Sequence, residues 1–500
     1  MVSVTATTEP QFRIANLGRH SIIYGVGMVL SKAVAFVMLP IYTRWLTPAD
    51  YGVLQLITMT FEVVTIFAGS RIALGIFHFY HKEESETGRR EVLSTAFLLL
   101  AGTFALAAVA TTFAAPAIAR VVFGAGQQYV AFVRLAAASM AFEGLLLVPI
   151  ALFRLQNRST TFVFVSLARL CIQVVLNLIF LIPFEMGVFG VLLSSLVTHV
   201  VIGLALGVPL LASVGMRFKG RSARAFLRFG APLMVMQGAT FIVTFGDRYF
   251  LNRAAGTAEV GLYGLAYQFG FLVSTFGYIP FERVWGPQRF EVAKRPDRDV
   301  IFAQVFVYLN VVLISVALGV AVFAGDVLRL IAAPEFHHAA AFIPLLAAAY
   351  VFPCWSSHLN LGTYITERPE YYTLAKWVAA VVAIAGYVLL VPRWLAWGAV
   401  ITTLASLAVD AWLSHVFSQR LWRVEYRWTP IVRLAALAIA VGTISVLLPT
   451  MVMPLSIGAH AALYALYLGL LWSLPILTPE ERSLILRRLA QGRRRRRTAP

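Results

Sequence analysis

A chain of 500 residues that is 60% hydrophobic and only 13% charged is far more apolar than a soluble domain, in which about a quarter of the residues carry charge. A net charge of +18 would suit a nucleic-acid binder, but the lysines and arginines fall in short connections between apolar runs, where they act as orientation signals. Two isolated cysteines, Cys171 and Cys354, exclude a disulfide framework and a thiolate metal site; both lie in apolar segments, and core packing is their expected role.

Residues 1–16 lack a short apolar segment with a small-residue cleavage site. The run that follows is too long for one, so it reads as an uncleaved first span behind a short N-terminal segment. About fourteen stretches of transmembrane length then succeed one another, near 18–45, 51–77, 92–122, 129–153, 159–183, 187–213, 225–251, 258–283, 299–330, 337–363, 370–392, 396–420, 429–450 and 455–475. The expected fold is an all-α polytopic membrane protein.

The connections on one side are basic. MRFKGRSARAFLR (216–228), RVWGPQRFEVAKRPDR (283–298), RLWRVEYR (420–427) and the tail RSLILRRLAQGRRRRR (482–497) share that side, whereas the opposite connections hold mostly one arginine each. By the positive-inside rule both termini are cytoplasmic, as an even number of spans requires. The stretch 283–298 suits an amphipathic segment on the membrane surface, and the arginine run at 493–497 a topology anchor. No connection is long enough to fold as a domain.

A shift of 209 residues, without gaps, lays Arg19 on Arg228, Arg44 on Arg253, Ala49-Asp50 on Ala258-Glu259 and Gly52 on Gly261. Both copies follow an outer turn, after the first and the seventh span. Six spans separate them, so the halves point the same way, as in parallel repeats related by an axis along the membrane normal. The first turn also has a local logic: Thr47 caps the following helix, Pro48 fits its first position and Asp50 completes a capping box. In the second copy Gly256 takes the cap and Glu259 supplies the acid.

The stretches LPIYTRWLTPADYG (39–52), GDRYFLN (246–252) and GLYGLAYQ (261–268) resemble the polysaccharide-transporter branch of the multidrug/oligosaccharidyl-lipid/polysaccharide flippase superfamily, which holds the O-antigen-type flippases. The pair Asp247-Arg248, with Gly261, Tyr263, Ala266 and Tyr267, is the more specific part, and the resemblance covers most of 17–420. It implies an N-terminal lobe of six helices over 17–213 and a C-terminal lobe of six over 214–422, set around a central cavity. Two further helices over 423–475 and a basic tail over 476–500 follow. It also implies alternating access that moves an undecaprenyl-diphosphate-linked oligosaccharide from the inner to the outer leaflet of the bacterial inner membrane, for O-antigen or exopolysaccharide synthesis. A polysaccharide polymerase and glycosyltransferases are the implied protein partners.

Charges at mid-membrane depth are costly and are by default functional hypotheses. Gln55, Thr58, Glu62 and Thr65 stand on one helical face. Lys32 and Glu62 lie about equally far from the outer turn, at ~1.5 Å per residue, and form one depth-matched candidate pair. Glu143 and Arg169 flank an inner turn at similar depth and form a second. Arg169 continues into the stripe Ser166, Gln173 and Asn177, and Gln237, Thr240, Thr244 and Asp247 make another polar face. The candidate substrate-cavity residues are therefore Lys32, Glu62, Glu143, Arg169, Gln173, Asn177, Asp247 and Arg248. Arg169 and Lys32 are the deepest cations for a diphosphate, whereas Arg71 and Arg134 snorkel toward the ends. Tyr263, Tyr267 and Tyr278 are candidate sugar walls, with packing as their alternative role. Asp410 lies near the middle of a span with no basic partner evident at its depth; it is the candidate for coupling to a proton or sodium gradient. Lys376 is discounted as a snorkelling residue, and His199, His358 and His415 are expected to make helix contacts.

No catalytic residue, metal site or cofactor is expected; a proton or sodium gradient or the membrane potential would drive transport. A membrane-embedded polymerase would need a sizeable domain outside the bilayer, and the chain has neither that nor a Walker loop. Within the transporters the alternatives are a lipid II flippase and a multidrug/cation antiporter, and outside them a scaffold of an assembly complex.

Overall fold

The computed structural model describes residues 38–124, 126–449 and 452–473. Lys32, Arg19, most of the first span and the arginine-rich tail lie outside the described residues. Within them all regular structure is helical. Eleven helices are long and apolar enough to cross a membrane. One of these, Pro369–Leu421 (α17), holds two predicted spans, because the backbone reverses at Leu395 (φ 49°), just after Pro392. The predicted span near 258–283 runs through α11 (Thr257–Leu272), a π-helical turn at Val273–Tyr278 and the start of α12 (Ile279–Val292). These account for thirteen of the predicted spans, the first lying mostly outside the described residues.

The outer turn is built as its residues require. Between α1 (Leu39–Trp45) and α2 (Pro48–Ala68), the Thr47 hydroxyl accepts from the Asp50 amide at 3.1 Å. The Asp50 carboxylate accepts in return from the Thr47 amide at 3.1 Å. The predicted capping box thus satisfies two amides that a helix start leaves orphaned. Gly69 closes α2 in the left-handed region, at φ 109°.

The 209-residue shift has a geometric counterpart. A Cβ added to Gly52 would overlap the carbonyl oxygen of Thr257, and one added to Gly261 would overlap that of Pro48. Pro48 and Thr257 are equivalent under the shift, as are Gly52 and Gly261. Each contact is therefore the other's mirror, the reciprocity a two-fold relation produces. Only glycine lets two helix starts come this close.

The described residues pack as two compact units, one of 38–241 with 256–261 and the other of 242–255 with 262–473. The division falls inside α9 (Gly220–Phe245) and not in the basic connection before it. The reason is aromatic packing near the start of α9: Phe226 meets Phe79 with ring centroids 4.8 Å apart, and Phe229 stacks on His78. The first unit holds α4 (Glu86–Phe123), α5 (Gln127–Glu143), α6 (Leu147–Leu155), α7 (Ser159–Leu181) and α8 (Gly187–Val214). Its core joins Phe97, Leu100, Phe104, Ala137 and Met140. In the second unit α13 (Arg298–Ile331) packs on α18 (Trp428–Leu447) and α19 (Met453–Ser473) through Phe306, Leu318, Leu434 and Tyr467.

Candidate functional site

The polar stripes of the first unit meet around His199 on α8. One cavity, of about 210 Å³, is lined by Thr58, Glu62 and Thr65 of α2, Ser139 and Glu143 of α5, and Ser195 and His199 of α8. A second, of about 350 Å³, is lined by Ser166, Arg169 and Gln173 of α7 with Ile150 and Ile202. The Arg169 guanidinium is 2.7 Å from His199 Nε2, and His199 Nδ1 is 2.6 Å from the Ser139 hydroxyl. Arginine offers no lone pair, so Nε2 accepts, Nδ1 carries the proton and the ring donates to Ser139. The order along the chain of bonds is thereby fixed: guanidinium, neutral imidazole, hydroxyl. Ser195 stands 3.4 Å from Ser139 and extends it into the first cavity.

This corrects the expected Glu143–Arg169 ion pair. The two are neighbours in electrostatic range, together with Glu62, but Arg169 hydrogen-bonds His199. Depth matching along two helices fixes height in the membrane and leaves open which third helix stands between them. Glu62 lines the first cavity, and its proposed partner Lys32 lies outside the described residues. Asn177, the far end of the stripe on α7, is buried and donates to the Tyr42 hydroxyl at 2.7 Å; its carbonyl oxygen has no partner.

The second unit holds a cluster of another kind. Asp247 and Arg248 are 0% and 1% exposed and paired at 2.8 Å. The Arg248 guanidinium also donates to the Thr244 carbonyl at 2.9 Å and lies 4.0 Å above the centre of the Tyr267 ring. The Tyr263 hydroxyl donates to the second Asp247 oxygen at 2.6 Å, and Thr403 approaches the same oxygen at 3.3 Å. Asp247 and Arg248 line neither of the two cavities above. Tyr263 and Tyr267 are packing residues of this cluster and not exposed walls, the role sequence offered as their alternative.

Asp410 is not without a partner. Lys376 Nζ donates to its Oδ2 at 2.6 Å and stands 4.9 Å from the Tyr372 ring. Ser356 and Ser414, bonded to each other at 3.0 Å, complete the surroundings. The Lys376 Cα lies about 10 Å along α17 from its start and Asp410 about 16 Å from its end, at ~1.5 Å per residue. The lysine stem spans that difference and points inward to Asp410 instead of snorkelling out. The other Asp410 oxygen is buried without a hydrogen bond. Of the cysteines, Cys354 is buried as expected and Cys171 is exposed on α7. His358 packs flat on Phe306, ring centroids 5.5 Å apart.

These helices, long and apolar enough to cross a membrane, define a polytopic membrane protein, and the fold is that of the superfamily the sequence resembles. The structure of a lipid II flippase, MurJ, in an inward closed conformation is similar at a TM-score of 0.73, with 10% identity over 90% of this chain and 99% of that one. An inward-facing multidrug resistance MATE family transporter matches at 0.60, with 15% identity over 76% and 92%. A superfamily transporter from Pyrococcus furiosus matches at 0.55, with 15% identity over 81% and 95%. No curated sequence relative matches significantly. The family model described as polysaccharide biosynthesis protein matches residues 17–292, more than half of the chain, and the chain belongs to that family.

Proposed function

We propose that the protein is a flippase that carries a lipid-linked oligosaccharide, on an undecaprenyl-diphosphate anchor, from the inner to the outer leaflet by alternating access. The observation that carries this reading is the Arg169–His199–Ser139 chain between two polar cavities, in a chain of the polysaccharide biosynthesis family. Arg169 spends one donor on His199, and the rest of its fork has no protein acceptor among the described residues. A guanidinium fork in that state suits the diphosphate, because its donors match phosphate oxygens two at a time. Gln173, Ser166 and the hydroxyls of the neighbouring cavity suit sugars. The prenyl tail stays in the bilayer, so no apolar tunnel is needed.

The membrane is the bacterial inner membrane, with both termini in the cytoplasm, and the chemistry of assembly belongs to partner glycosyltransferases and a polymerase. A gradient of protons or sodium, or the membrane potential, supplies the energy, with Asp410 the site of coupling. A second reading, transport of the peptidoglycan precursor lipid II, is favoured by the extent of the likeness to the lipid II flippase; the family match favours a surface polysaccharide.

A deletion strain separates the two. Loss of one surface glycan, with its lipid-linked repeat unit trapped on the inner leaflet, is the expected outcome. Normal flipping of that unit, with peptidoglycan synthesis impaired, would support the second reading, and normal flipping of both would end the flippase reading.

A further inference from the structure

A third cavity, of about 600 Å³, opens in the first unit where α4 turns into α5, and nothing in the transport reading uses it. It is lined by Arg120 of α4, by Gly124 and Gly126 of the turn, and by Gln127 and Arg134 of α5. Neither arginine has a protein partner among the described residues, and no acid lines the cavity. Gln127, Ala131 and Arg134 follow helical spacing and share one face of α5. Arg134 starts about 10 Å below the helix start, at ~1.5 Å per residue, and its long stem brings the guanidinium up toward the turn. The turn itself, with Gly124 at φ 84° and Gly126 at φ 143°, leaves the first amides of α5 without a side-chain cap.

Two further observations say what such a site holds. Arg120 ends the exposed face of α4, on which Leu106, Val109, Phe113 and Val121 are 70%, 53%, 82% and 84% exposed. An apolar track of that length in a spanning helix faces lipid tails. The two arginines also stand at the wrong end for orientation. Ser94 and Thr95, near the start of α4, bond the basic 215–219 connection, and Arg120 lies roughly 40 Å further along the helix. Cations are sparse on that face of the membrane, and a pair of unpaired guanidiniums there calls for an anion.

We infer that Arg120 and Arg134, with the uncapped first amides of α5, bind the phosphate headgroup of an anionic membrane lipid whose tails lie along α4. The site is separate from the Arg169 cavity and does not depend on what the protein transports.

The test uses the purified full chain and measures lipids retained by native mass spectrometry, with phosphatidylglycerol against phosphatidylcholine. The wild type should prefer phosphatidylglycerol by at least about tenfold, as expected for losing or gaining charge-assisted contacts. Arg120→Gln/Arg134→Gln should abolish the preference while keeping the melting temperature in phosphatidylcholine. Should that variant fail to fold, the wild type still decides: its preference should fall steeply as salt is raised, because partly exposed charges are screened. A preference unchanged in the folded double variant, or indifferent to salt, overturns the site. Binding of inorganic pyrophosphate with no lipid preference overturns the assignment to a membrane lipid.

Discussion

The two charge clusters, around the half-buried Arg169 in the first unit and the fully buried Arg248 in the second, contain the same cation and differ in what is left over. Arg248 is closed off: a carboxylate at 2.8 Å, a backbone carbonyl at 2.9 Å and the face of Tyr267 surround it, tyrosine and threonine hydroxyls approach the carboxylate's other oxygen, and its one unbonded buried nitrogen, Nε, faces none of the cavities described above. Arg169 is open: one bond to a neutral histidine, and cavities beside it. A closed pair specifies packing, because removing either charge strands the other in the interior. An open one keeps donors in reserve for a ligand. An arginine in a membrane span is therefore informative about transport only once its bonds have been counted.

The largest effect should come from opening the closed cluster. Asp247→Ala leaves Arg248 uncompensated and should cost about 3–5 kcal/mol, read as loss of folded protein in the membrane or a collapsed melting transition. A variant that melts like the wild type would show that Arg248 has water or another anion within reach. An intermediate case is the Lys376–Asp410 pair, buried but with one carboxylate oxygen unbonded. Asp410→Asn keeps a hydrogen-bond acceptor and should cost about 1–3 kcal/mol in thermal stability. If coupling resides there, transport by that variant should no longer respond to a proton or sodium gradient, and a retained response clears Asp410. The smallest change is Ser139→Ala, which removes one acceptor from His199. It should cost about 1 kcal/mol in unfolding experiments and weaken transport less than any change at Arg169.

The contrast between the clusters was only partly legible in the sequence. Features carried by the backbone were readable: the Thr47–Asp50 box follows from residue types at fixed spacing, and Gly52 and Gly261 meet because the repeat puts glycine at both helix starts. Features that depend on which way a side chain leans were not. Asp247 and Arg248 are adjacent in sequence, which on one helix points them apart; just after Gly246 the start of α10 (Asp247–Ala255) brings them together, with the Arg248 amide also on Asp247 at 2.9 Å. Lys376 reaches Asp410 through its stem, and His199 stands between Arg169 and Ser139 on a helix that hydropathy alone cannot orient. Cys171 shows the same blindness: lipid tails are as apolar as a protein core, so an apolar neighbourhood says nothing about which of them a residue faces.

The open cluster can be tested directly. Purified protein in liposomes carrying an undecaprenyl-diphosphate-linked oligosaccharide on one leaflet should move it to the other, read by a sugar-specific probe confined to one side. Arg169→Ala, at wild-type abundance and melting temperature, should slow that movement by at least about tenfold, the loss of roughly one charge-assisted contact. Flipping by Arg169→Ala at the wild-type rate, or none by the wild type under an imposed gradient, would contradict the account.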